Sequence, residues 1–159
     1  MKILLIILSF LFLCCNSDSS TNSNKDDNII NEKIDLGEIK QELTKEEKEI
    51  AIKSVYLWLK YLDNENYSAA WEKSSFLIKE SIPLNDWINT ISPARGFLGE
   101  VVERKFKSSL YKEQLPGAPD GRYVIIQFDV VFKNKANAVE TITPVYEDGE
   151  WKVSGYYIK

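Results

Sequence analysis

The sequence predicts an α+β fold, with N-terminal helices packed on a curved four-stranded antiparallel sheet. Two features predict it. Apolar residues recur at helical spacing as far as about Ile91, and at every second position after Gly99. The two kinds of segment are also grouped, helices first and strands after, which favours α+β over an alternating α/β arrangement.

The domain begins at a capping box. The Thr44 hydroxyl can accept one orphan amide while Glu47, three residues on, reaches back to the cap. Ala51, Val55, Trp58 and Leu62 follow on one face, so the first helix runs to about Leu62. Asp63 to Asn66 breaks it. Tyr67 to Lys73 forms a second helix, with Tyr67, Ala70 and Trp71 on one side, and Phe76 to Lys79 is a candidate extension of it. Pro83 suits the first turn of a third helix. Leu84, Trp87, Ile88 and Ile91 give that helix its apolar stripe, and Pro93 is expected to stop it.

Strand one is expected over 100–111, with Val102, Phe106 and Leu110 on its apolar face. Residues 112–121, containing Leu115-Pro-Gly-Ala-Pro-Asp-Gly121, read as a loop. Strand two covers 122–132. Its even positions, Val124, Ile126, Phe128, Val130 and Phe132, are wholly apolar and should face the helices. Strand three covers about 138–146. Asp148-Gly149 signals a hairpin, and strand four covers 150–158.

The N-terminus carries an export pattern. Lys2 gives a positive start, and residues 3–13 are apolar except for Ser9. Such a stretch falls short of the ~20 residues a spanning helix needs, but suits the core of a secretory signal. It ends at Cys14-Cys15 and a polar run, which resembles a lipoprotein signal. Lipidation is expected at Cys15, with Cys14 filling the small-residue place before it; Cys14 is the alternative. An uncleaved anchor is the competing reading. The expected organisation is a signal peptide over 1–14, a lipidated cysteine and tether over 15–43, and one domain over 44–159. Residues 16–28 hold no apolar side chain and cannot bury enough surface to fold. Ile29, Ile30, Ile34, Leu36 and Ile39 are candidates for docking on the domain.

Composition removes several function classes. The 159 residues contain no histidine, and both cysteines lie in the export segment. The domain therefore has no thiolate nucleophile, no imidazole base, no zinc-type cluster and no disulfide. No metal or cofactor is expected. The net charge of −4 comes with no concentrated basic surface, so nucleic acid is not an expected partner. The nearest basic cluster, Arg104, Lys105 and Lys107, reads as a solvated strand face with one inward arginine.

A set of motifs in fixed order completes the picture. These are Tyr67-Ser-Ala-Ala-Trp71, Trp87, Arg95 with Gly99, Arg104, Leu115-Pro-Gly-Ala-Pro-Asp-Gly-Arg-Tyr123, Gln127-Phe128, Glu140-Thr141 and Asp148-Gly-Glu-Trp-Lys-Val-Ser-Gly-Tyr156. The chain resembles the bacterial family called domain of unknown function 4019 over roughly Glu46 to Ile158. The resemblance implies a small exported or lipid-anchored protein and carries no catalytic role. The order of elements is also similar to the cone-like cystatin and nuclear transport factor 2-like folds, an analogy that does not give function.

Arg104 shares parity with Val102 and Phe106, and Glu140 shares parity with Ala138 and Ile142. If both point inward they can meet. They would form either an ion pair that fixes register or the polar floor of a ligand pocket, with Trp71 and Trp87 as further lining. Trp58 is a third aromatic candidate, and each tryptophan also reads as core. Asp129 falls on the opposite face and makes a poor general base. The expected function is a non-catalytic module on a membrane-anchored envelope lipoprotein, outside the cytoplasm, that binds a protein or a cell-wall component. The alternatives are a small-molecule binder using Arg104 and, behind it, a cone-fold enzyme.

Overall fold

A computed structural model describes residues 42–159. The expected signal peptide and lipidation site, and all but the last two residues of the expected tether, lie outside the described residues. Helices α1 (Lys45–Asp63), α2 (Tyr67–Glu72), α3 (Phe76–Ser81) and α4 (Leu84–Leu98) come first. Strands β1 (Val101–Lys112), β2 (Tyr123–Phe132), β3 (Lys135–Glu147) and β4 (Glu150–Ile158) follow. The strands form one antiparallel sheet in the order β1-β2-β3-β4, which does not close on itself. The fold is α+β.

The capping box forms as its spacing requires. The Glu47 amide donates to Thr44 Oγ1 at 3.1 Å, and the Thr44 amide donates to Glu47 Oε2 at 3.0 Å. α1 buries Ala51, Val55, Trp58, Leu59 and Leu62 and packs on β2, β3 and β4. The even residues of β2, from Val124 to Phe132, are all buried beneath the helices. Pairing is a simple meander because each strand reaches its neighbour through a short connection. Only the β1–β2 link is longer, and its loop closes on itself through the Gly121 amide and the Glu113 carbonyl at 2.8 Å.

Three expectations need correction. Phe76–Ser81 is a separate helix, set off by Ser75, whose amide donates to the Val153 carbonyl at 2.8 Å. That bond ties the segment to β4 and turns it away from α2. Pro93 does not stop α4, which runs on to Leu98. A proline inside a helix removes one hydrogen bond and costs ~3 kcal/mol. Here continuation buries Arg95 and Leu98 in register with Ile91, and that burial offsets the cost. Third, Val102, Phe106 and Leu110 do not share an inward face. β1 has register shifts between Val101 and Glu103 and between Phe106 and Ser108. Each bulge inserts a residue and resets the alternation. Phe106 stays on the helix side, 6.1 Å from the Phe128 ring, while Leu110 pairs with Ile125 on the outer face. All three are exposed, at 68, 47 and 54% in chain order.

Gly99 sits at the joint between α4 and β1 with φ 75° and ψ −169°. That conformation is essentially open only to glycine. A Cβ there would also lie 3.0 Å from Asn134 Nδ2 and 3.2 Å from Lys133 Cβ. The crowding arises because the β2–β3 turn is fastened to this joint: the Lys133 amide donates to Glu100 O at 2.8 Å and the Asn134 amide to Leu98 O at 2.9 Å. Gly99→Ala is expected to cost about 2–3 kcal/mol from the disfavoured dihedrals and the contact together. Urea denaturation measures it, and a loss below about 0.5 kcal/mol would show that the joint relaxes freely.

Candidate functional site

Arg104 and Glu140 do meet, and they are half of a larger cluster. Glu140 leaves the middle of β3 and is fully buried. Its Oε2 accepts from Arg104 Nε at 2.6 Å. Its Oε1 accepts from Arg95 Nη1 at 3.1 Å and from the Tyr156 hydroxyl at 2.7 Å. Asp63, the last residue of α1, closes the other side. Its Oδ1 accepts from Arg95 Nη2 at 2.7 Å and Arg104 Nη2 at 3.0 Å, and its Oδ2 accepts from Arg104 Nη1 at 2.6 Å. Two guanidinium ions thus face two carboxylates, and the charges balance.

The elements that deliver these groups explain the arrangement. Arg95 rides the buried stripe of α4 beyond Pro93, and its guanidinium also lies 5.1 Å from the Phe132 ring centre. Arg104 is paired with Val130 across the β1–β2 ladder, on the helix side of the sheet. Tyr156 is opposite Ile142 on β4. α1, α4, β1, β3 and β4 are therefore pinned at one point. A planar fork that binds two oxygens at once suits such a junction.

Electrostatics reinforce it. Burial opposes the charge of Arg95, but Tyr156, Glu140 and Asp63 outweigh it, and the net shift is upward. Arg104 is likewise penalised by burial and raised overall by its bonds to Asp63 and Glu140. Burial pushes the Tyr156 hydroxyl well above its ordinary value of 10.0, and the neighbouring Glu140 adds to the shift. Since its folded-state value is raised, the folded state holds that proton after the unfolded chain has begun to lose it. Its contribution is fully present below pH ~10 and is lost as pH rises through the folded value. Stability should fall above pH ~10, with Tyr156 adding up to about 1.4 kcal/mol per pH unit. Urea titrations of the wild-type and Tyr156→Phe proteins from pH 7 to 11 test this. An alkaline slope unchanged by the substitution would refute it.

The indole N–H groups of the expected aromatic lining are spent on other partners. The Trp71 indole N–H donates to Ile82 O at 2.9 Å, and that of Trp87 to Tyr67 O at 2.9 Å. Trp58 donates to Ala70 O at 2.8 Å and Ser74 Oγ at 3.0 Å. All three fasten helix ends and pack in or against the core; none hydrogen-bonds to the charge cluster, though Trp58 packs edge-on to Tyr156 at 5.5 Å. Asp129 is exposed on the outer face and pairs with Lys107 at 2.8 Å. Sequence reasoning found Arg104 and Glu140 through strand parity but did not bring Arg95, Asp63 or Tyr156 to the cluster. Arg95 lay past the expected end of its helix, and Asp63 read as a breaker. The available signals were the spacing of Arg95 from Ile91, four residues on the same stripe, and the place of Arg95 and Tyr156 in the ordered motif set.

Arg104 directs its Nε, Nη1 and Nη2 at protein carboxylates, so the cluster is closed on itself. Chemically it can lock the helices to the sheet. Clefts lie elsewhere. One of about 340 Å³ lies between α1, the α2–α3 segment and β4. A shallower one of about 350 Å³ runs along α1 beside Ile52, Tyr56 and Leu57. Neither is lined by Arg104 or Glu140. Among the described residues no group of three or more acidic side chains is arranged to hold a metal ion.

No curated protein matches the chain at a significant level. Residues 54–156 match a family model described as a protein of unknown function, DUF4019. The match spans all five cluster residues and most of the described domain, and the chain belongs to the DUF4019 family.

Proposed function

We propose that this chain is a lipid-anchored protein of the bacterial envelope whose domain is a non-catalytic binding module, facing away from the cytoplasm, for a protein or a cell-wall component. The anchor rests on the sequence: Lys2, the apolar run over 3–13, Cys15 and the polar stretch that follows. Two or three acyl chains at ~0.8 kcal/mol per buried methylene would hold it stably on a membrane. No helix of the described residues is long and apolar enough to cross one.

The observation that carries the binding role is the exposed apolar surface formed by Phe106 at the β1 edge and Tyr56 of α1. Phe106 stands exposed on an edge strand, and the exposed Tyr56 from α1 meets the same Phe128 ring that Phe106 does, at 5.0 Å, while Leu110 faces the other side of the sheet. The other edge differs, because β4 is fastened to the α3 segment at Ser75. Clustered exposed aromatic and aliphatic side chains mark interaction surfaces. The charged residues and two bulges on β1 discourage plain strand addition, so the side chains rather than the strand edge make the contact. A photo-cross-linking residue at Phe106 in intact cells should trap a protein or wall fragment, while one at Glu80 on α3 should not. Equal yields at both positions, or none at Phe106, would overturn the binding role. Cys15→Ser should change membrane partitioning and the mass of the mature protein; no change in either would overturn the anchor.

A further inference from the structure

We infer that the 340 Å³ cleft between α1, the α2–α3 segment and β4 binds a small zwitterion with an apolar body, an amino acid or short peptide with free termini. The inference is independent of the anchor and of the Phe106 surface.

The floor of the cleft is apolar and fixed. Trp58, Trp151 and Val153 are buried there, and Leu57 stands exposed at the lip. The Trp58 indole is held by two acceptors, and one of them, Ser74 Oγ, is itself anchored on Ala70 O at 2.8 Å. Trp151 packs edge-on to Tyr146 at 5.2 Å. Such a floor keeps its shape whether or not a ligand is present, which lowers the ordering cost of binding.

The walls carry charges of both signs that are not spent on each other. One lining cation, Lys152, is committed to Glu147 and Asp148. Lys73, Lys79, Glu72 and Glu150 all line this one cleft. Among the described residues, none of these four takes part in an ion pair within 4.0 Å. Lys79 instead lies 5.8 Å from the centre of the Trp71 ring. A ligand with one carboxylate and one ammonium group meets both kinds of partner, while an apolar side chain between them rests against the exposed Leu57. A simple anion would leave the two glutamates facing it, and a neutral molecule would use neither set. The volume falls in the range of small-ligand pockets.

The test uses the detergent-solubilised full chain and the tripeptide Ala-Leu-Ala, followed by calorimetry and tryptophan fluorescence. Saturable binding with a Kd of about 1 mM or tighter is expected. Blocking either terminus, by N-acetylation or C-amidation, should weaken it about tenfold. Lys73→Gln with Lys79→Gln should abolish the penalty for amidation, and Glu72→Gln with Glu150→Gln the penalty for acetylation. These side chains lie at the rim of the cleft, so circular dichroism should report an unchanged fold. No saturable binding overturns the inference. So does a fully capped tripeptide that binds as well as the free one, a carboxylate-only peptide that binds equally well, or charge variants that leave both penalties intact.

Discussion

Glu140→Ala will destabilise the domain by about 3–5 kcal/mol, the usual cost of orphaning buried charges. The substitution removes the acceptor of three hydrogen bonds at once. It leaves two guanidinium ions with one carboxylate between them in a site where Glu140 is fully buried and the Arg95 side chain 5% exposed. Domains of this size are stable by roughly 5–15 kcal/mol, so the variant should melt on the order of 10 °C lower, a loss that thermal denaturation reads directly. The same physics predicts that the loss is mostly a penalty for imbalance. Removing a charge of each sign together, as Arg104→Met with Glu140→Leu, leaves Arg95 paired with Asp63. That double variant should be more stable than the sum of its two single changes by at least about 1 kcal/mol. Additive losses would show that the four groups do not act as a unit, and a Glu140→Ala protein within about 1 kcal/mol of wild type would show that water reaches the cluster.

How much of this was legible in the sequence depends on the range over which each signal acts. The capping box at Thr44, the even-position stripe of β2 and the Asp148-Gly149 turn are local patterns, and each formed where its pattern placed it. Arg104 and Glu140 were legible because strand parity carries a side chain's facing through several residues. The same rule failed for Val102 and Leu110, since parity survives only until a bulge and no residue in β1 announces one. Arg95 was hidden for a different reason. Proline disfavours helix locally, and only the tertiary gain from burying Arg95 and Leu98 carries α4 past Pro93. The register of Asp63 and Tyr156 with that arginine is likewise set by packing between distant elements. The cleft at Lys73 and Lys79 joins three elements far apart in the chain, so no spacing could have pointed to it.

Phe128 and Phe106 form a pair in which one ring supports the fold and the other is free for contact, and substitution separates the two roles. Phe128 is fully buried at the centre of β2, with Tyr56 and Phe106 edge-on at 5.0 and 6.1 Å. Phe128→Ala should cost about 3–5 kcal/mol, because the cavity it leaves under α1 is bounded by strands that cannot collapse into it. Phe106 is 47% exposed although it packs edge-on to that ring. Phe106→Ala should therefore cost about 1 kcal/mol or less, as expected for a side chain that gives up little buried area. Urea midpoints at constant m-value compare them. If Phe106→Ala instead destabilised the domain as much as Phe128→Ala, the exposed ring would be part of the core, and the Phe106–Tyr56 surface could not serve as one held ready for a partner. A stable Phe106→Ala protein that no longer cross-links through the neighbouring Tyr56 position would place the ring's contribution in the complex. An aromatic side chain retained at half exposure is then explained by the contact it makes with a partner, because its gain to the isolated domain is too small to require it.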